Sequence, residues 1–106
     1  MAYKYKWLDS ALDDMSQEIG YVCSEFGVKA ARKAGAKIRE RVNQLCVFPR
    51  LGIVYEGLHY HGDEVRVLHI RQVSVIYTFQ DDLITLVAVW NNYQAPEHLE
   101  RTLAER

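Results

Sequence analysis

The chain has 106 residues, of which 49% are hydrophobic and 25% are charged, and its formal net charge is −1. This length fits one domain with one hydrophobic core, residues 1–106. Proteins that bind nucleic-acid phosphates typically carry a surplus of basic residues, and this chain has none. Binding to a nucleic acid would therefore require a local basic surface. No apolar run approaches the roughly 20 residues of a membrane span, so no membrane contact is expected.

The N-terminus lacks the apolar central region of a secretory signal, which predicts a cytoplasmic protein. Cys23 and Cys46 have no metal-type spacing, and in a reducing compartment they are expected to remain thiols. No cofactor motif is present, and none is expected to be bound.

A strand and a helix are predicted at the start of the chain. Residues Tyr3–Trp7 alternate aromatic and lysine side chains, which is the period of a half-buried strand. From Ala11 to Phe26 the apolar residues recur at spacings of three and four, which predicts an amphipathic helix. Its apolar stripe consists of Leu12, Met15, Ile19, Val22 and Phe26.

The start of this first helix carries polar residues suited to capping. Asp9 or Ser10 is the expected N-cap. Asp13 and Asp14 are expected in the first turn, where carboxylates interact favourably with the helix dipole.

A second helix follows after a single glycine. Gly27 is a natural helix C-cap, and apolar residues continue at helical spacing from Val28 to Leu45 until Phe48-Pro49 stops the helix. Two long helices joined by one residue predict an antiparallel helical hairpin.

The second half of the chain is rich in β-forming residues. Arg50–Gly62 contains three glycines and is predicted to be a loop with a short extended piece at Ile53–Tyr55. Strands are predicted at Glu64–Ile70, Val73–Phe79 and Leu83–Asn91, with turns at Arg71-Gln72 and Gln80–Asp82, and a last helix at Pro96–Glu105. The predicted class is therefore α+β: an N-terminal strand, a helical hairpin packed on a twisted antiparallel sheet of about four strands, and a short C-terminal helix.

The last strand is apolar on both of its predicted faces. Strict alternation places Leu83, Thr85, Val87 and Val89 on one face, and Ile84, Leu86, Ala88 and Trp90 on the other. The second face is either buried in the core or offered to a partner chain. The last helix, with Leu99 and Leu103 on its apolar edge, could supply part of the cover.

Several short motifs follow one another in a specific order: FG at Phe26-Gly27, VFPRLG at Val47–Gly52, VRVLHI at Val65–Ile70, SVIYTFQDD at Ser74–Asp82 and VWNNYQAPEHL at Val89–Leu99. Their order and spacing together resemble the RelE/ParE superfamily, the bacterial toxins of type II toxin–antitoxin modules, and the match covers nearly the whole chain. The family fold, a helical hairpin on a twisted antiparallel sheet, agrees with the predicted elements.

The resemblance implies growth inhibition that a cognate antitoxin holds in check, with a toxin–antitoxin hetero-oligomer as the resting complex. Antitoxin segments typically wrap the toxin and in some members displace its last helix. The residues expected to bind the antitoxin are Leu86, Ala88, Trp90, Leu99 and Leu103.

The resemblance also implies one of two targets. RelE-like members cleave mRNA on the ribosome, using basic residues on the sheet and a Tyr, His or Arg near the end of the last strand. Arg66, Arg71 and Tyr93 match such catalytic positions, whereas Ser74 and Leu68 stand where other members carry basic residues. ParE-like members instead inhibit DNA gyrase by protein contact.

The residues leave these alternatives open. Arg66 and Arg71 could bind phosphate or be surface charges, and Tyr93 could transfer a proton or pack at a strand end. His59, His61 and His69 invite a metal site, but no carboxylate or cysteine completes a ligand set, so no metal is expected. Three functions therefore remain: an mRNA-cleaving toxin, which is the primary expectation, a gyrase inhibitor, and a degenerate member that only binds its antitoxin.

Overall fold

The computed structural model describes residues 3–92 and 96–106. The elements in chain order are β1 (Lys4–Trp7), α1 (Asp9–Phe26), α2 (Val28–Leu45), β2 (Ile53–Tyr60), β3 (Asp63–Ile70), β4 (Val73–Gln80), β5 (Leu83–Asn91) and α3 (Pro96–Glu105). The predicted helical hairpin, the meander of three strands and the last helix are confirmed.

The strands form one sheet in the order β1-β5-β4-β3-β2. Strands β2 to β5 are antiparallel, and β1 adds a fifth strand, parallel to β5, at the opposite edge from β2. The α+β class predicted from the sequence is therefore confirmed, with a larger sheet than expected.

The prediction of a loop at Arg50–Gly62 was wrong for most of that segment, because Ile53–Tyr60 forms β2. Gly57 lies between the two paired stretches of β2, where the register shifts, and has a φ of 81°. His61 and Gly62 then make the β2–β3 turn with φ values of 51° and 85°. The glycines therefore serve a bulge and a hairpin turn of two positive-φ residues.

The start of α1 also differs from the predicted one. The helix begins at Asp9 with Leu8 as N-cap, and no side chain caps it. The prediction of Asp9 or Ser10 as the N-cap was therefore wrong, because both residues lie inside the first turn. Asp14 consequently lies in the second turn, where its carboxylate has a different partner, described below.

The sheet separates two apolar cores. The hairpin-side core joins α2 to three strands and consists of Ile38, Val42, Leu45, Leu68, Ile70, Val75, Tyr77, Ile84 and Leu86. The α3-side core consists of Leu58, Val65, Val67, Ile76, Val87, Ala88, Leu99 and Leu103, with Trp90 packed against it. Both sheet faces are thus covered by the chain's own helices.

A register shift in β5 changes the faces expected from strict alternation. Ile76 pairs with Ala88 but Tyr77 pairs with Leu86, so Val87 is an extra residue. After this bulge the side chains change face: Leu86 belongs to the hairpin-side core, whereas Ala88 and Trp90 belong to the α3 side. The prediction that Leu86, Ala88 and Trp90 share one face was therefore wrong.

Candidate functional site

Arg66, the first predicted catalytic cation, lies on β3 with only 14% of its side chain exposed. Its Nη1 donates to the carbonyl oxygen of Gly52 at 2.8 Å and to that of Arg50 at 3.4 Å, and Nη2 lies 3.7 Å from a carboxylate oxygen of Glu64. The guanidinium also lies over the Phe79 ring, 5.7 Å from its centroid. Arg66 is thus engaged with the segment that leads into β2.

Tyr77, the cross-strand partner of Arg66, holds the same segment from inside the core. Its side chain is fully buried, and its hydroxyl donates to the Pro49 carbonyl at 2.6 Å while accepting from the Gly52 N–H at 2.9 Å. Burial raises the pKa of Tyr77 above its usual 10.0, an effect that the Gly52 hydrogen bond and the charge of Arg66 oppose. The hydroxyl therefore stays protonated and can donate.

Arg71, the second predicted cation, is exposed in the β3–β4 turn, where its φ is 59°. Arg71 is five positions after Arg66, which corresponds to about 17 Å along an extended strand at about 3.4 Å per residue. The structure therefore does not bring these two cations together. Tyr93, the third predicted catalytic residue, lies outside the described residues.

A chain of hydrogen bonds lies beside Arg71, on the α3 side of the sheet. His69 Nδ1 is 2.7 Å from Ser74 Oγ, and Ser74 Oγ is 2.5 Å from Asn92 Oδ1. Asn92 Nδ2 donates to the Arg71 carbonyl at 3.0 Å. Ser74 is 2% exposed, whereas His69 is exposed.

The donors in this chain determine the histidine tautomer. Because Asn92 Nδ2 donates to a carbonyl, its Oδ1 is the acceptor that faces Ser74. The single hydroxyl proton of Ser74 goes to that oxygen, so Ser74 Oγ must accept from His69 Nδ1–H. A neutral His69 therefore carries its lone pair on Nε2, which makes this atom a proton acceptor.

Sequence reasoning named His69 but missed its partners Ser74 and Asn92. A two-residue turn at Arg71-Gln72 pairs Ile70 with Val73 and then His69 with Ser74, so register alone could have found this pair. The contribution of Asn92 depends on how the chain leaves β5, and no local pattern indicates that.

The five residues expected to bind an antitoxin are mostly covered by the chain itself. Leu86, Ala88, Leu99 and Leu103 are at most 4% exposed, and Trp90 is half-buried. Ala88, Trp90 and the two leucines of α3 meet in the α3-side core, whereas Leu86 lies beneath the hairpin. A partner could reach the α3-side set only after α3 moved.

An ion pair joins α1 to the end of α3. Arg106 donates to both carboxylate oxygens of Asp14, from Nη1 at 2.7 Å and from Nη2 at 2.9 Å. Arg106 Nη1 also donates to the Val87 carbonyl at 2.8 Å, and Asp14 accepts from the Val89 N–H at 3.1 Å. The ion pair thereby provides hydrogen-bond partners for the Val87 carbonyl and the Val89 N–H, which lie beyond the last residue of β5 that pairs with β1, Leu86.

A cavity of about 650 Å³ opens between the hairpin and the β3–β4 turn. Its wall includes the apolar residues Ile19, Val22 and Phe26 and the charged residues Glu18 and Lys33. Burial raises the pKa of the Glu18 carboxyl, a hydrogen bond with Asn91 opposes this, and the charge of Asp14 adds to it. The cavity is thus mainly apolar, with charges of both signs.

Both cysteines are free thiols. Cys46 donates weakly to the Val42 carbonyl, with an S–O distance of 3.7 Å, and burial raises the pKa of its thiol. Among residues 3–92 and 96–106, no group of three His, Cys, Asp or Glu side chains is placed to hold a metal ion. The same ranges contain no helix that is both long and apolar enough to cross a bilayer.

Comparisons with known proteins agree with this architecture. The structure is similar to that of the chromosomal ParDE toxin–antitoxin system of P. aeruginosa, with a TM-score of 0.69 and 21% identity over 85% of this chain and 96% of that one. It is also similar to a mutant of the E. coli toxin RelE in the free state, with a TM-score of 0.64 and 13% identity over 100% and 98% of the two chains. No curated protein sequence matches.

A family model matches residues 5–96, which is most of the chain. Its description is the ParE toxin of the type II toxin–antitoxin system parDE. The RelE/ParE resemblance predicted from the motifs is therefore confirmed. The chain belongs to the ParE toxin family of type II toxin–antitoxin systems.

Proposed function

We propose that this toxin inhibits growth by protein contact with DNA gyrase in the cytoplasm, and that a cognate antitoxin restrains it. This favours the second of the sequence-based expectations over mRNA cleavage. The observation that carries the proposal is the engagement of Arg66 within the chain itself.

Cleavage of RNA by its own 2′-hydroxyl builds negative charge on a phosphorane, and preorganised cations must face that charge. Arg66 directs its guanidinium to the carbonyls of Gly52 and Arg50 and toward Glu64. Binding a phosphate through Nη1 would require breaking its contacts with these carbonyls, at a side chain that is largely buried. Inhibition by protein contact places no such demand on Arg66.

A second candidate, ribosome-dependent mRNA cleavage, is favoured by one specific observation. His69 presents Nε2 as a proton acceptor, and the hydrogen-bond chain through Ser74 and Asn92 ends on the carbonyl of Arg71. Attack by a 2′-hydroxyl requires a base, which His69 would supply, and a cation, for which Arg71, two residues further along the chain, is the candidate. In this alternative, His69, Arg71 and Tyr93 carry the chemistry.

We infer that the antitoxin displaces α3 and binds the sheet surface around Ala88 and Trp90, where it takes the place of Leu99 and Leu103. The helix has only ten residues and would not be stable without its packing, so it is the easiest cover to remove. Leu86 faces the hairpin, so an antitoxin bound on the α3 side does not reach its side chain.

The decisive experiment induces the toxin without antitoxin and follows transcript integrity and DNA supercoiling in the same cells. We expect intact transcripts, loss of negative supercoiling, and inhibition of purified gyrase by the purified toxin. Arg66→Lys tests whether Arg66 has a structural role, because lysine keeps the positive charge but lacks the planar guanidinium group.

Cleaved transcripts that become intact in His69→Ala and Tyr93→Phe would establish the nuclease and overturn the proposal. A protein that leaves growth, transcripts and supercoiling unchanged while still binding its antitoxin would be the degenerate family member that only binds its antitoxin. Each result thus selects one of the three functions.

A further inference from the structure

The segment between α2 and β2 exposes large apolar side chains. Val47 is 59% exposed, Phe48 64%, Leu51 38% and Ile53, the first residue of β2, 68%. We call Val47–Ile53 the apolar loop. Four exposed apolar residues within seven positions form a local concentration that a solvated loop does not need.

A tight turn sets the positions of the two central anchors. The Leu51 N–H donates to the Phe48 carbonyl at 3.0 Å, which closes a four-residue turn around Pro49 and Arg50. Proline suits the second position of such a turn because its φ is already fixed. Phe48 and Leu51 therefore flank the turn, with Arg50 between them.

The main chain of the apolar loop is held from below by buried polar groups. The Tyr77 hydroxyl binds Pro49 and Gly52, and Arg66 binds the Gly52 carbonyl. At the preceding residue, the Tyr3 N–H donates to the Cys46 carbonyl at 2.6 Å. These contacts lower the conformational entropy that the main chain of the loop would lose on binding, so its backbone is preorganised.

We propose that the apolar loop is the surface through which the toxin docks on its protein target, inserting Phe48 and Leu51 into an apolar pocket that carries a carboxylate for Arg50. This inference rests on the proposed function and adds the contact surface to it. Aromatic and arginine side chains at the centre of a contact are the usual anchors of protein interfaces.

The chemistry of the loop argues against a nucleic acid as its occupant. Arg50 is the only cation of the loop, and its guanidinium lies over the Phe79 ring, 5.4 Å from the centroid, whereas nucleic-acid phosphates require several cations. A specific protein interface takes about 800 Å² from each partner, spread over some 20–30 residues, so the seven-residue loop is the anchor of a larger contact. An apolar pocket on a protein target fits such an anchor.

The test compares two pairs of exposed residues with the same chemistry. Phe48→Ser/Leu51→Ser alters the loop, and Phe26→Ser/Val28→Ser alters the hairpin tip, where the two side chains are 70% and 57% exposed. Both variants and the wild type are assayed for growth inhibition, for inhibition of purified gyrase, for co-purification with the antitoxin and for mass by light scattering.

We expect the loop variant to lose at least about 30-fold in gyrase inhibition and to lose toxicity, while the tip variant stays close to wild type. Both should retain the antitoxin, which shows that they fold. Arg50→Glu should lose activity as well, because its charge would repel the expected carboxylate.

A loop variant as potent as wild type against gyrase would overturn the loop and leave the proposed function intact. A wild-type toxin without effect on gyrase would overturn the proposed function, and growth inhibition by the two variants would then still decide the role of the loop. Loss of antitoxin binding only in the loop variant, or a wild-type dimer that the loop mutations dissociate, would assign the loop to those occupants and overturn the proposal.

Discussion

The two faces of the sheet are covered in different ways. Two helices of 18 residues each cover one face, and α2 alone contributes three core residues, each at most 2% exposed. One helix of ten residues covers the other, with two leucines in the core and an ion pair at its end. Buried apolar area stabilises the packing of the hairpin on its face. The ten-residue helix is attached by two leucines and the ion pair between Arg106 and Asp14, which we call the clamp, so its face opens more easily.

The polar side chains on the two faces of the sheet also differ in whether a hydrogen-bonding atom is left for a partner. On the hairpin side, Arg66 and Tyr77 direct their donors into the apolar loop and fix its backbone. On the α3 side, the chain from Asn92 through Ser74 ends at His69 and leaves Nε2 as an acceptor. The first arrangement builds a surface, and the second positions a titratable group.

The largest expected effect comes from Gly52→Ala, which disturbs the contacts of Tyr77 and Arg66 with the apolar loop on the hairpin side. We call these contacts the brace. An added Cβ would lie 2.7 Å from the Tyr77 ring and hydroxyl and 2.9 Å from the Val67 carbonyl oxygen, too close for any of them. We expect the free energy of unfolding to fall by about 3 kcal/mol, measured by urea denaturation. Gly20→Ala is the matched control, because nothing lies within 4 Å of its Cβ, and it should add about 0.5–1 kcal/mol. Equal stability of the two variants would contradict the brace.

Arg106→Gln tests the clamp on the α3 side. It leaves the Asp14 carboxylate without its cation and should cost about 2 kcal/mol. Hydrogen exchange should accelerate in α3 more than in α1 or α2, because α3 is the shortest of the three helices and has only two leucines in the core. Lys37→Gln removes a cation from an exposed pair with Glu40 and should change stability by less than about 0.5 kcal/mol. Uniform acceleration over all helices would show that the clamp does not act on α3 alone.

Ser74→Ala tests the polar chain on the same face. The neutral His69 ring should carry its proton on Nδ1 in the wild type and lose this preference in the variant, which ¹⁵N NMR of the imidazole distinguishes. Stability should fall by about 1 kcal/mol, because Asn92 loses a buried partner. A wild-type ring protonated on Nε2 would refute the assigned direction of the chain.

The sequence predicted the hairpin, the meander and the last helix because each has a strong period or a clear breaker. It predicted only the start of β2, at Ile53–Tyr55, because Gly57 and Gly62 indicate a loop unless a neighbouring strand is known to pair with the segment. The bulge at Val87 was equally hidden, since alternation continues through it in the sequence and only pairing with β4 reveals the extra residue.

The candidate site was predictable in residue type more than in arrangement. Arg66, His69 and Arg71 were named from the sequence. The pairing of His69 with Ser74 follows from the strand register, whereas the main-chain acceptors of Arg66 and the contact of Ser74 with Asn92 follow from no spacing. Asp14 shows the same limit: its carboxylate suggested a helix dipole, and its actual partners, Arg106 and Val89, come from the far end of the chain.

The smallest expected effect concerns Glu18, at the cavity beside the hairpin. Burial raises its pKa above the ordinary 4.5, so the folded state binds the proton more tightly than the unfolded state does. The stability that this proton contributes is fully present below pH 4.5 and is lost as the pH rises through the folded-state pKa. Glu18→Gln should therefore gain thermal stability relative to wild type over that range and keep the gain at neutral pH. Glu25→Gln, on the exposed side of the same helix, controls for the loss of one negative charge. A constant difference between Glu18→Gln and wild type from pH 4 to pH 7 would mean that Glu18 is solvated and that the cavity is wetter than its apolar wall implies.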